Sequence, residues 1–152
     1  MTTTTTLAEL PQLKGQELGQ SSWIEVTQER VDTFADATGD HQWIHVDVGR
    51  AKAESPFGGP IGHGYLTLSL LIPLWSEVLT VTDSPMAVNY GLNKVRFPSP
   101  VPVGSKIRLT ATLKDVEEVA GGLQITVAAV IEADGAAKPV CIAEPVFRIY
   151  AG

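Results

Sequence analysis

The stretch that decides the fold is His63-Gly-Tyr-Leu-Thr-Leu-Ser-Leu-Leu-Ile-Pro-Leu-Trp-Ser-Glu-Val-Leu79. Tyr65, Leu66, Leu68, Leu70, Leu71, Ile72, Leu74, Trp75, Val78 and Leu79 leave this segment almost no polar face. A helix apolar on nearly all sides has to be wrapped by other elements rather than laid on a surface. Pro73 should kink it or weaken one turn, because proline brings no N–H to the helical ladder. The run is no membrane span: its densest part, Tyr65 to Trp75, is about half the ~20 residues a bilayer needs.

The chain beyond this helix reads as strands. Met86, Val88, Tyr90 and Leu92 alternate in even register while Val95 and Phe97 are odd, and that flip near Asn93-Lys94 predicts a β-bulge. Ile107, Leu109, Ala111 and Leu113 alternate with polar residues, as do Leu123, Ile125, Val127, Ala129 and Ile131 after the Ala120-Gly121-Gly122 turn. Val140 to Tyr150 supplies a last strand, in which Pro145 favours an edge or a bulge. Upstream, a short strand is expected at Ser22–Val26. Thr27 then caps a helix carrying Val31, Phe34 and Ala35 on one face, and Gly39 closes it. A small helix covers Arg50 to Glu54, and the Ser55–Pro60 stretch breaks it. The expected architecture is α+β: a curved antiparallel sheet wrapped around one long apolar helix.

Length and composition narrow the function classes. The chain has 152 residues, which argues for a single domain. Hydrophobic residues make up 44% and charged ones 18%, an ordinary globular balance. Eleven Lys and Arg against seventeen Asp and Glu leave a net charge of -6, which argues against nucleic acid and anionic membrane as partners. One cysteine, Cys141, forms no intrachain disulfide and fits a reducing compartment. Met1 and its five threonines lack the basic start and apolar core of an export signal. Residues 1–6 are therefore expected to be a disordered leader, and the location cytoplasmic.

The chemistry-bearing segment is Gly39-Asp-His-Gln-Trp-Ile-His-Val-Asp47. Asp40 and His45, read as lying in a loop, can be brought to opposite sides of one water. The same spacing also suits a turn aspartate and a hydrogen-bonded histidine. A metal site drawing on His41, His45, Asp40, Asp47 and His63 is disfavoured, since Gly39 ends the helix that such spacing would need. Nucleophilic catalysis has neither a Gly-x-Ser-x-Gly elbow nor an exposed thiol, and the Gly58–Gly64 loop lacks the Lys-Ser/Thr pair of a phosphate loop. That loop does lead into a helix N-terminus. The free N–H groups of Gly62, His63 and Gly64 there could stabilise an oxyanion.

Phe34-Ala-Asp-Ala-Thr-Gly-Asp40-His-Gln-Trp-Ile-His45-Val-Asp47, with Gly59-Pro-Ile-Gly-His63-Gly64-Tyr-Leu-Thr-Leu-Ser69 after it, resembles the MaoC-like (R)-specific enoyl-CoA hydratases of the hot-dog fold. With Asn89-Tyr-Gly-Leu-Asn-Lys-Val-Arg-Phe-Pro98, the chain is most similar to the nodulation-protein-N-like branch. The resemblance covers nearly all of residues 7–152. It implies that Asp40 and His45 hold a catalytic water and that the Gly64 amide serves the oxyanion. It departs from the family's commoner motif in having Gln42 and Trp43 for Asn and Pro. It also has Ile72 where some hydratases carry a serine.

The implied reaction is reversible hydration of a trans-2-enoyl thioester to the (R)-3-hydroxyacyl form, without metal or cofactor. Two rivals remain open: an acyl-CoA thioesterase of the same fold, and a non-catalytic acyl-binding module. The substrate would be a thioester of coenzyme A or acyl carrier protein. Coenzyme A phosphates would need local cations, with Lys94 and Arg96 the first candidates, then Lys106, Arg108 and Arg148, and His63 a further substrate contact. Exposed sheet edges in so short a unit, together with the family, imply a homodimer.

Overall fold

The computed structural model describes residues 2–152. In chain order the strands are β1 Thr3–Thr5, β2 Glu17–Gln20, β3 Ile24–Glu25, β4 Leu79–Val81, β5 Met86–Arg96, β6 Lys106–Val119, β7 Gly122–Ala133 and β8 Cys141–Tyr150. The helices are α1 Gln28–Thr38, α2 Trp43–Val46, α3 Val48–Glu54 and α4 Gly64–Val78, and a 3-10 turn covers Leu10–Leu13. One antiparallel sheet has the order β2-β6-β7-β8-β5, with β3 also pairing β6.

The sheet buries one face because its strands alternate. Ile107, Leu109, Ala111 and Leu113 of β6 and Ile125, Val127 and Ile131 of β7 are essentially inaccessible. Leu66, Leu70, Leu71, Leu74 and Val78 of α4 recur at helical spacing and join the same core. The helix is not wrapped all round, however. Tyr65 is 71% exposed, while Leu68, Ile72 and Trp75 are only partly buried. The sheet ends at β5, so nothing among the described residues covers that flank. Pro73 lies inside an unbroken α4 and on its exposed side.

The parity flip in β5 is a register shift between Leu92 and Val95. Pro145 pairs opposite Leu92 beside that shift. Its strand lies between β7 and β5, so of the two expectations for Pro145 the bulge holds and the edge does not. The strand expected at Ser22–Val26 shortens to Ile24–Glu25.

The threonine leader is ordered where it was expected to fray. Thr3–Thr5 runs parallel to Leu79–Val81, Thr82 N–H donates to the Thr5 carbonyl at 2.9 Å, and Thr3 Oγ1 donates to Leu18 O at 2.6 Å. β-Branched threonines suit an extended strand, and the chain leaving α4 offers unpaired backbone groups to them. Met1 lies outside the described residues.

Candidate active site

Three local devices build the site. Thr27 Oγ1 accepts from Arg30 N–H at 3.1 Å and starts α1, and Gly39, at φ 81°, ends it in the left-handed region. The chain leaves that glycine carrying Asp40, whose side chain is exposed. A single helical turn, α2, then rotates His45 inward until it is 8% exposed. The loop expected around this histidine is thus corrected to a turn of helix between Gln42 and Asp47, and that turn is what aims its ring at the core. Asp47 caps the next helix, accepting from Arg50 N–H at 3.1 Å.

The protonation pattern is set by hydrogen bonds. A carbonyl can only accept, so His45 Nδ1–H donates to Ile61 O at 2.7 Å and Nε2 keeps its lone pair. Burial pushes the His45 pKa below the usual 6.5, the Ile61 carbonyl opposes that, His63 adds to it, and Asp40 opposes it. The His63 ring stacks on His45 with centroids 3.9 Å apart and planes at 26°. His63 Nε2–H donates to the Asp40 backbone carbonyl at 3.0 Å, and that nitrogen lies 4.0 Å from the Asp40 carboxylate. One nitrogen or oxygen from each of Asp40, His45 and His63 lies within 4.8 Å of the other two. With hydrogen bonds of roughly 2.7–3.0 Å, a single water can touch two such atoms.

That trio could also be read as a cation site. Lone pairs of imidazole nitrogens lie in the ring plane, and the two planes are nearly parallel. They do not converge at the ~2.0–2.1 Å of a metal–imidazole bond, so His45 and His63 do not fit a shared metal.

A cavity of about 420 Å³ opens against His45, and Asp40 is not part of its wall. Its wall includes His45, Ile61, Gly64, Thr67 and the exposed rings of Phe57 and Phe97. The cavity therefore joins the free face of His45 to the N-terminus of α4. Gly62 N–H is not available there, because it donates to Val101 O at 2.7 Å. Gly64 N–H is a first-turn amide without a helical acceptor. A Cβ at Gly64 would sit 3.1 Å from the Phe97 ring, so only glycine keeps this approach open without moving the ring.

The other candidates are placed differently. His63 is 2% exposed and forms no part of the cavity wall. Lys94 and Arg96 lie exposed on β5, next to the wall residue Phe97, and Arg96 donates to the neighbouring Val95 carbonyl. Arg108 is engaged by Glu132 and lies over the Trp23 ring. Arg148 lies over Tyr90 and donates to Gln124. Sequence reasoning missed Gln28, whose Nε2 donates to the His45 carbonyl at 2.8 Å and so braces α2. As a polar residue in the first turn of α1, it carried no signal that could have found it.

A family model described as the MaoC-like domain matches residues 9–135. The chain belongs to the MaoC-like dehydratase family. It is an enzyme of that hydro-lyase class and has the family's hot-dog fold. It is 52% identical over 152 residues to the 3-hydroxyacyl-thioester dehydratase Z of Mycobacterium tuberculosis, covering 99% of this chain and 100% of that one. It is 49% identical over 121 residues to nodulation protein N of Rhizobium leguminosarum, covering 79% of this chain and 75% of that protein. An (R)-hydratase from Pseudomonas aeruginosa, solved unliganded, superposes with a TM-score of 0.73 at 20% identity, covering 91% of this chain and 83% of that one. At that identity the likeness concerns the fold. No helix among the described residues is long and apolar enough to cross a membrane.

Proposed function

We propose that this MaoC-like dehydratase interconverts trans-2-enoyl thioesters and (R)-3-hydroxyacyl thioesters of coenzyme A or acyl carrier protein, using Asp40 and His45 to hold and activate the water. The observation that carries this reading is the cavity whose wall includes both His45 and Gly64, with Asp40 outside that wall but offering a carboxylate oxygen within 4.8 Å of a His45 ring nitrogen. The 3-hydroxyacyl-thioester dehydratase Z relative, similar over the whole chain, supports the thioester assignment.

In the hydration direction the water oxygen bonds to Cβ as the Asp40–His45 pair takes its proton. The C=C electrons move onto the thioester as an enolate, which the Gly64 N–H and the α4 dipole stabilise. The pair then returns a proton to Cα and the carbonyl re-forms. Protons balance over the cycle, so no metal or organic cofactor is required. Removal of water from the 3-hydroxy form is the same path reversed.

The working unit in this proposal is a homodimer. β5 is a free edge whose Met86, Val88, Tyr90 and Leu92 are all exposed, beside the uncovered flank of α4. Unpaired backbone and apolar side chains on one edge are what a second copy would cover. Lys94 and Arg96 would meet the coenzyme A phosphates.

The test is purified protein with crotonyl-CoA. Loss of conjugated-enoyl absorbance without free thiol, and product accepted by an (R)-specific hydroxyacyl dehydrogenase, is the expected result. Thiol release would make the protein a thioesterase, and neither change would make it a binding module.

A further inference from the structure

His63 begins α4 as its N-cap, yet its side chain makes no capping bond. Serine, threonine, aspartate or asparagine would cap better, so capping does not account for a histidine here. Nor does packing. The ring is 2% exposed and lies between Phe34, 4.9 Å away, and His45, 3.9 Å away. Its Nδ1 is buried without any hydrogen-bond partner. An unsatisfied buried acceptor is destabilising, and a phenylalanine would fill the same space without one.

What the imidazole does and a phenyl ring could not is donate. Its Nε2–H holds the Asp40 carbonyl while its face lies against His45. Because that donation makes Nε2 the protonated nitrogen, Nδ1 is left as the idle atom.

We propose that His63 is a positioning residue that fixes Asp40 and His45 relative to each other, the hydrogen bond holding the backbone of one and the stacked face holding the ring of the other. This rests on the reading of Asp40 and His45 as the water-activating pair. His63 touches both members of that pair but is not part of the cavity wall, so it acts on the geometry of the water and not on thioester binding. Asp40 is on an exposed turn and has little else to hold it. Gln42 N–H reaches its carboxylate only at 3.4 Å, and Thr38 Oγ1 lies 3.4 Å from its N–H.

The test compares His63→Phe, which keeps a ring and loses the donor, with His63→Gln, which restores an N–H near the same place. Steady-state kinetics on crotonyl-CoA are read beside thermal unfolding. For His63→Phe the expected result is a kcat about 10- to 100-fold lower, with KM within about twofold and no loss of thermal stability, since misplacement of reacting groups lowers turnover selectively. His63→Gln should recover at least about fivefold of that kcat. Wild-type kcat in His63→Phe, a raised KM at unchanged kcat, or a glutamine variant no faster than the phenylalanine one would each overturn the proposal. Asp40→Asn and His45→Gln run in parallel separate the two levels. Turnover retained in them refutes the catalytic pair itself, whereas turnover lost in them but kept in His63→Phe refutes only the positioning role.

Discussion

His45 donates Nδ1–H to Ile61 and is almost fully buried, and both facts bear on how it handles protons. Burial holds its pKa below 6.5, so the neutral form, with Nε2 free to accept, persists to a lower pH than in an exposed histidine. Activity that needs neutral His45 is full above that lowered pKa and falls as protonation sets in beneath it. A kcat/KM profile on crotonyl-CoA should therefore show an acid limb with its midpoint below 6.5, and a midpoint above 6.5 would contradict the assignment. Asp40→Asn and His45→Gln should each lower kcat by roughly 100-fold or more, the usual scale for removing a general acid or base. Both variants should stay folded, since Asp40 is exposed and glutamine can still donate to the Ile61 carbonyl.

At the scale of elements, α1 and α4 aim their ends at one place. The C-terminus of α1 delivers Asp40 and the N-terminus of α4 delivers Gly64, with the single turn of α2 between them in sequence. The caps of α1 were legible because Thr27 and Gly39 carry strong local preferences. The turn at Trp43–Val46 was not, since a four-residue helix shows too little periodicity to read. The order of the leader was hidden for a related reason. A threonine run has no buried face of its own, and only its parallel partner β4, far along the chain, gives it a place. Deleting residues 2–6 should accordingly lower the thermal unfolding midpoint by several degrees. That shift is on the order of 1 kcal/mol in a protein of this size, read by circular dichroism. An unchanged midpoint would return the segment to a loose leader.

For the whole molecule, the uncovered flank of α4 and the free edge of β5 face one another across cavities that both elements line. The sequence predicted a wrapped helix, and this chain wraps only part of it. A second copy along β5 completes the covering under the proposed function. Placing charge there, as Met86→Lys with Leu92→Lys, should leave the internal core intact, because both side chains are about half exposed. It should yield a monomer by light scattering where the proposed function has the wild type a dimer, burial of two ammonium groups being unfavourable. A monomeric wild type would remove the homodimer from the proposal.

What the sequence determined by itself was periodicity and local chemistry. It marked a long apolar helix, four long strands with a bulge at Asn93-Lys94, helix caps at Thr27 and Gly39, and the residue types Asp40, His45 and Gly64 in family order. These come from spacing and from backbone preferences that act within a few residues. Tertiary structure alone decided the rest. It put His63 against the pair and off the cavity wall, gave Gly62 N–H to Val101, set Pro145 on an inner strand, and braced His45 from Gln28. Each of these is a hydrogen bond, stack or strand pairing between residues distant in sequence. No local pattern encodes such a contact, because its partner is chosen only when the core closes.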